Sequence, residues 1–150
     1  MKKNFTLIQN CHILAFNFKL MKKNIKEISV LIVDDNLVNR QVLNFNMQRY
    51  GIQPDNAENG KKAFEKYCEH PYDLILMDIM MPVMNGLNST KHIRDYENTH
   101  TLNKALIIAI SANFLDENRE EYMAYGLNYI MKKPLDFKTF DTLLHEHFDF

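Results

Sequence analysis

Residues 73–86 read DLILMDIMMPVMNG, an apolar run that ends on an acid and passes into a loop with proline and Asn-Gly. A continuous apolar run of this length, bounded by turn residues, predicts a strand buried on both faces. Three further runs share its form: SVLIV (29–33), ALIIAI (105–110) and the shorter YIM (129–131). Strands buried on both faces are typical of parallel sheets that helices cover on each side.

Amphipathic stretches separate these strands. Asn36 is predicted to cap a first helix that Gly51 ends, and we expect its apolar side to hold Val38, Val42, Leu43, Phe45 and Met47. Further helices are predicted from Asn59-Gly60, near 87–95, over 116–125 and over 136–147. A weak strand at 52–57 contains Pro54, which favours a sheet edge.

The strands and helices alternate strictly, in five strand–helix units. This order predicts an α/β fold, an open parallel sheet with helices on both faces. An eight-fold barrel needs about 250 residues, far more than the 150 of this chain.

Composition indicates one ordinary globular domain, with 46% apolar and 25% charged residues. We expect it to span 28–150, after an extension over 1–27 that is disordered or that precedes a natural start at Met21. The formal charge of −1 gives no general attraction to nucleic acid or membranes, so neither is expected as a direct partner. Two cysteines without CxxC spacing favour a reducing, cytoplasmic location.

Polar residues stand where the predicted strands end: Asp34-Asp35, Asp78, Ser111 and Lys133. The carboxyl ends of parallel strands form the ligand crevice of an open sheet, so these side chains should converge. Clustered carboxylates repel one another unless a cation compensates, and Mg²⁺ suits carboxylates and phosphate oxygens. A carboxylate can also attack phosphorus, while a metal and an ammonium hold the phosphoryl oxygens.

At these residues the chain resembles the receiver domain of two-component response regulators, particularly those attached to hybrid sensor kinases. The matching stretches are VLIVDDNLVNRQVL (30–43), AENGKKAFE (57–65), DLILMDIMMPVMNG (73–86), IIAISAN (107–113) and GLNYIMKKPLD (126–136). The resemblance implies a flavodoxin-like (βα)5 fold of strand order 2-1-3-4-5. It also implies a bacterial phosphorelay protein, not an enzyme, whose partner is a histidine kinase or histidine phosphotransfer protein.

By this resemblance Asp78 is the phosphoacceptor, with Mg²⁺ bound by Asp34, Asp35, Asp78 and the backbone carbonyl of Met80. Ser111 and Lys133 then stabilise the phosphoryl group, and Lys132 is a solvated neighbour. Pro82 shapes the loop beside the site through its fixed φ and Gly86 through a permissive backbone.

One position departs from the family pattern. The usual switch aromatic falls on Ile130, one residue after Tyr129. Either Ile130 packs inward permanently or Tyr129 replaces the aromatic through a bulge, and the first is favoured because adjacent strand residues face opposite ways. The family positions that tune phosphate lifetime are Met80 and Asn113; neither is an acid, which predicts a fairly long-lived phosphoryl group.

Two other functions remain open. A pseudo-receiver would be a pure interaction module, and an aspartyl-phosphate phosphatase of the haloacid-dehalogenase type would need a second acid where Asn36 stands. We expect a stand-alone receiver or a piece of a hybrid kinase. Its signal should leave through the fourth helix, fifth strand and fifth helix, with Tyr122, Met123 and Tyr125 as contact or core residues.

Overall fold

The computed structural model describes residues 22–150 and contains a five-stranded sheet of order β2-β1-β3-β4-β5. Every neighbouring pair of strands is parallel. This order confirms the predicted flavodoxin-like fold. The strands are β1 (Val30–Val33), β2 (Asp55–Ala57), β3 (Leu74–Asp78), β4 (Leu106–Ser111) and β5 (Tyr129–Lys132).

Five helices cover the sheet: α1 (Leu37–Gln48), α2 (Gly60–Glu69), α3 (Gly86–His100), α4 (Arg119–Met123) and α5 (Phe137–His147). The predicted helix over 116–125 is shorter than expected, because a 3-10 turn (Asp116–Asn118) precedes α4. A second 3-10 turn (Ile25–Glu27) precedes β1. Side chains of α1 and α5 pack on one face of the sheet, and those of α2, α3 and α4 pack on the other.

Asparagine and aspartate side chains begin four of the five helices. Asn36, Asn59, Asn85 and Asp136 each accept hydrogen bonds from backbone N–H groups of the following turn. These caps satisfy donors that have no partner within the helix. Gly51 follows α1 with φ 78°, the left-handed conformation that ends many helices and favours glycine.

The apolar side expected for α1 is only partly buried. Leu43 and Met47, four residues apart, face the sheet and are buried. Val38, Val42 and Phe45 are 64%, 49% and 66% exposed, so only part of the predicted apolar side faces the sheet. One row of residues four apart fills the contact with the sheet, and the neighbouring apolar row projects into solvent.

The packed domain begins before the expected boundary at residue 28. Ile25 is 3% exposed and donates its backbone N–H to Asp149 at 2.7 Å, and Lys23 forms an ion pair with Asp73 at 2.8 Å. Residues 1–21 of the predicted extension lie outside the described residues, so disorder there stays a prediction. Over 22–150, the helices are all too short or too polar to cross a bilayer.

A buried polar cluster lies at the amino-terminal edge of the sheet, opposite the predicted site. The Glu97 carboxylate, on a residue 1% exposed, accepts from the Tyr67 hydroxyl, the Arg94 guanidinium and the Ala105 backbone N–H, each at 2.8 Å. Burial, together with the bond to Glu97, raises the pKa of Tyr67. Arg94 also donates to the carbonyl of Gly126 at 2.8 Å, which joins α3 to the turn before β5.

Candidate functional site

Three carboxylates meet where β1 and β3 end. Asp34 and Asp35 follow β1, Asp78 is the last residue of β3, and the two strands are paired neighbours. One oxygen from each carboxylate lies within 4.8 Å of the others. Asp34 and Asp78 are 1% and 6% exposed, whereas Asp35 is exposed. The cluster is therefore closed toward the core and open toward solvent on the Asp35 side.

Lys133 brings a positive charge to this cluster from the residue after β5. Its Nζ atom lies 2.7 Å from Asp34 Oδ2 and 3.3 Å from Asp78 Oδ1. The backbone N–H of Lys133 donates to the Ser111 carbonyl at 2.9 Å, and Ser111, 2% exposed, ends β4 beside β3. All five strand-end residues named from the sequence thus lie at one edge of the sheet.

Burial and mutual repulsion set the charge state of the site. Burial, followed by the neighbouring Asp34 charge, raises the pKa of Asp78 against the opposing effect of Lys133. Burial alone would lower the pKa of Lys133, but hydrogen bonds and attraction to Asp34 and Asp78 outweigh it and raise that pKa. A further cation would relieve the remaining repulsion among the carboxylates. Three oxygen donors, one of them exposed, fit Mg²⁺, which keeps several of its waters.

The loop after Asp78 is held close to the strand end by Gly86. A Cβ atom on Gly86 would collide with the carbonyl oxygen of Asp78 and lie 2.8 Å from Met77 Cγ. Glycine is needed here for this close approach, not for an unusual φ as expected. The left-handed residue of the loop is instead Val83, with φ 70° and a side chain 79% exposed.

The two positions linked to phosphate lifetime flank the site from solvent. The Met80 side chain is 65% exposed, and Asn113 is exposed in the loop after β4. The contribution of the Met80 carbonyl to a metal site stays a prediction.

The two neighbours on β5 face opposite sides of the sheet. β5 keeps a regular register with β4, in which Tyr129 pairs with Ile108 and Ile130 with Ala109, so no bulge reorients Tyr129. Ile130 is 8% exposed and packs inward on the α4 side. The Tyr129 hydroxyl lies 3.0 Å from Nε2 of His147 on the α5 side. Tyr129 therefore does not occupy the place of the expected aromatic.

An aromatic residue that we did not select from the sequence does lie on the α4 side. Phe114, three residues after Ser111, is 4% exposed and packs in the same core cluster as Ile130. Its ring centroid is 5.9 Å from that of Tyr122, and the Arg119 guanidinium lies 5.1 Å from its centroid. The sequence does show an apolar residue shortly after the Ser111 hydroxyl. The alternation of strands and helices, however, gave no reason to select Phe114 as a site residue.

Charged residues surround Phe114. Asp116 forms ion pairs with Arg119 at 3.5 Å and with Lys132 at 3.8 Å, all three being at least half exposed. Lys132 therefore contacts the loop that follows Ser111, in addition to being exposed. Such exposed pairs contribute little to stability, about 1 kcal/mol or less.

Asn39, which was not among the residues selected from the sequence, also contacts the site. Its side-chain amide donates to both oxygens of Asp34, at 3.2 and 3.1 Å, and the Asn36 backbone N–H donates to Asp34 Oδ1 at 2.8 Å. Asn39 lies in the first turn of α1, so a polar residue near the start of that helix was the only signal.

An apolar groove of about 450 Å³ opens beside the site, between α1 and the loop from β5 to α5. Asp34, Asn39 and Lys133 form its polar end, and apolar side chains line the rest: Val42, Leu43, Ile110, Pro134, Leu135 and Phe137. Val42 connects this groove to the exposed row of α1, which also holds Leu37, Val38 and Phe45. An exposed apolar surface next to the site is thus on α1, while the expectation that the signal leaves through α4, β5 and α5 stays a prediction.

Comparison with known proteins gives the same picture. The family model described as "Response regulator receiver domain" matches residues 30–145. "Two-component response regulator 24" of Arabidopsis thaliana is 35% identical over 121 residues, 80% of this chain and 84% of that protein. "Hybrid signal transduction histidine kinase M" of Dictyostelium discoideum is 36% identical over 117 residues, 77% of this chain but only 5% of that protein.

Solved structures agree with the fold. The receiver domain of Saccharomyces cerevisiae Ssk1, crystallised with the histidine phosphotransfer protein Ypd1, has a TM-score of 0.73 and 28% identity, over 84% of this chain and 89% of that one. The receiver domain of the Arabidopsis thaliana histidine kinase CKI1, complexed with Mg²⁺, has a TM-score of 0.69 and 27% identity, over 79% and 90%.

The curated relatives bear on two expectations, the source organism and the length of the whole protein. The two named here are eukaryotic, so they give no support to the expectation of a bacterial source. Their lengths differ widely, since the chain spans most of one relative and a small part of the other. The sheet order, the strand-end residues and the match over 30–145 agree. The chain therefore belongs to the family of response regulator receiver domains, a signalling module of two-component systems.

Proposed function

We propose that this chain accepts a phosphoryl group on Asp78 from a phosphohistidine of a partner protein. The observation that carries the proposal is the Lys133 ammonium between the carboxylates of Asp34 and Asp78, at 2.7 and 3.3 Å, in a site open beside Asp35. An Asp78 carboxylate oxygen attacks phosphorus, the bond from phosphorus to the donor imidazole nitrogen breaks, and the imidazole leaves with that electron pair.

The residues around Asp78 have separate tasks in this step. Asp34, Asp35 and Asp78 would hold Mg²⁺, with the Met80 carbonyl, and the ion would supply positive charge to the phosphoryl oxygens. Lys133 orients the Asp78 carboxylate before transfer and contacts the phosphoryl group after it. Ser111, at the end of β4, donates its hydroxyl to a phosphoryl oxygen. Any catalysis is limited to the chain's own phosphorylation and dephosphorylation.

The donor docks on α1 in this proposal. A partner that brings an imidazole to Asp78 must cover the surface around the site, and the nearby exposed apolar row is Leu37, Val38, Val42 and Phe45. Exposed apolar patches of this kind mark interaction sites. A histidine phosphotransfer protein fits this role, as the pairing of Ypd1 with the Ssk1 receiver illustrates.

The phosphorylated state is read through Phe114 in this proposal, because position 130 holds a buried isoleucine. Movement of Ser111 toward the phosphoryl group pulls on the loop that carries Phe114, and the ring contacts Tyr122 of α4. The changed surface then includes α4 and the neighbouring β5.

Since neither Met80 nor Asn113 is an acid that could orient water, the phosphoryl group is long-lived; a half-life of seconds would contradict this.

The experiment is incubation with acetyl phosphate and Mg²⁺, followed by intact mass measurement. We expect a mass gain of one phosphate that is absent without Mg²⁺ and in Asp78→Asn. No gain with acetyl phosphate or with a phosphorylated histidine phosphotransfer protein would favour the pseudo-receiver. Sustained turnover of p-nitrophenyl phosphate would favour the phosphatase.

A further inference from the structure

Asp34 is buried, and its carboxylate accepts hydrogen bonds from the start of α1 and from the residue after β5. Three groups donate to its carboxylate: the Lys133 ammonium at 2.7 Å, the Asn36 backbone N–H at 2.8 Å, and the Asn39 amide at 3.2 and 3.1 Å. The Asn39 group that faces Asp34 is the NH₂, because a carboxylate only accepts hydrogen bonds. The Arg40 guanidinium also donates to the Asp34 backbone carbonyl at 2.6 Å.

Phosphorylation of Asp78 should affect the Lys133 and Asn39 donors of Asp34 differently. Lys133 already lies 3.3 Å from Asp78, and a phosphoryl group there adds negative charge that draws the ammonium toward it. Asp34 Oδ2 then loses its charged donor. Among residues 22–150, Asn39 is the remaining side chain that donates to the Asp34 carboxylate.

The first turn of α1 fixes Asn39 in place. Asn36 caps the helix and accepts from the backbone N–H groups of Val38 and Asn39, at 2.8 and 3.3 Å. The Asn39 amide contacts both Asp34 oxygens, so it opposes rotation of the carboxylate about its last bond. Partners that orient metal-binding carboxylates in this way strongly affect metal affinity.

We infer that Asn39 is a positioning residue: it holds the Asp34 carboxylate toward the metal site when Lys133 moves to the phosphoryl group. The inference rests on the proposed function, since it assumes Mg²⁺ binding and phosphorylation at Asp78. It assigns to α1 a second task, because the same helix presents the exposed apolar row to the donor. Asn39 acts only through Asp34 and touches neither the phosphoryl group nor the attacking oxygen.

The test measures Mg²⁺ affinity by NMR titration, with and without beryllofluoride, a non-reactive phosphoryl analogue. Asn39→Leu keeps the side-chain volume but removes the donor. We expect Mg²⁺ to bind about tenfold more weakly in the free protein, and closer to about a hundredfold more weakly when beryllofluoride is bound. Asn44→Leu is the matched control, since Asn44 is on the same helix and bonds Asn56 instead.

Each outcome decides one point. The inference is overturned if the loss of Mg²⁺ affinity in Asn39→Leu is no larger with beryllofluoride than without it. It is also overturned if that loss is no larger than the loss of Mg²⁺ affinity in Asn44→Leu. Partial recovery in Asn39→Gln, which restores a donor, would support it, and no recovery in a folded Asn39→Gln protein would count against it. Failure of the unaltered protein to bind Mg²⁺ or beryllofluoride would instead contradict the proposed function.

Discussion

The Lys133 ammonium lies closer to the buried Asp34 carboxylate, at 2.7 Å, than to the Asp78 carboxylate at 3.3 Å. Before transfer, the ammonium of the site is therefore held more closely by Asp34 than by the acceptor Asp78. Lys133 and Mg²⁺ compete for the same carboxylate charge, so removal of one should favour binding of the other.

Lys133→Met should therefore bind Mg²⁺ more tightly and yet accept phosphate more slowly. The lost ammonium no longer neutralises Asp34 and Asp78, but it also no longer stabilises the phosphoryl oxygens. Isothermal titration with Mg²⁺ and the rate of labelling by acetyl phosphate measure the two effects. Lys132→Met is the control, because Lys132 pairs with Asp116 outside the site and should change neither quantity. Weaker Mg²⁺ binding in Lys133→Met would contradict the competition.

Phe45→Asp should slow transfer from a phosphorylated histidine phosphotransfer protein by about tenfold or more, as expected for an apolar residue central to an interface. Phe45 is 66% exposed, so the substitution should leave folding intact and leave labelling by acetyl phosphate unchanged. Leu115→Asp alters a similarly exposed apolar residue, 55% exposed and next to the α4 side of the domain. If Leu115→Asp slowed the donor and Phe45→Asp did not, the docking face would be on α4.

Phe114→Ala should uncouple the site from α4. The buried ring contributes to stability, and its loss should lower the free energy of unfolding by about 3 kcal/mol in urea titrations. Beryllofluoride should still shift NMR signals near Asp78 but no longer those of Tyr122 and Met123. Tyr129→Phe is the control, because it removes the contact with His147 on the opposite face and should keep the response of α4. Undiminished shifts in α4 of Phe114→Ala would reject this readout.

Asp73 should make stability depend on pH in the acid range. Burial raises its pKa, but hydrogen bonds from Lys23 and Ser29 outweigh burial and hold that pKa below its usual value. A lowered pKa means that the stabilisation is complete above the unfolded value, about 3.9, and is lost as pH falls through the folded value. Urea unfolding at a series of acid pH values should show this loss in the unaltered protein and a smaller one in Asp73→Asn. Parallel curves for the two proteins would contradict it.

Much of the fold followed from the sequence because burial on both faces leaves a clear pattern. The runs at 29–33, 73–77 and 105–110 each became a strand to within one residue. The cap predicted at Asn36 is present, and the second helix begins at Gly60, as predicted. The clustering of strand-end residues followed from parallel topology, which brings all carboxyl ends to one edge.

The burial pattern of α1 and the roles of Asn39 and Phe114 were not predicted, because they depend on contacts between distant segments. Periodicity marked the apolar residues of α1, but only the position of the helix on the sheet decides that Leu43 is buried and Phe45 is not. Asn39 matters because the first turn of α1 directs its amide toward Asp34. Phe114 matters because position 130 holds an isoleucine where the family has an aromatic residue. None of these features has a local pattern.

The Glu97 cluster places a buried ion pair and several buried hydrogen bonds at the edge of the sheet away from Asp78. Amide hydrogens near Ala105, whose backbone N–H donates to Glu97, should therefore exchange with solvent at the same slow rate with or without a phosphoryl group, while those in the loops after β3 and β4 change. The packing around Glu97 would then stay the same while the loops beside Asp78 respond, because the two groups of residues lie at opposite edges of the sheet. The domain can alter one surface repeatedly while its other edge keeps a fixed frame.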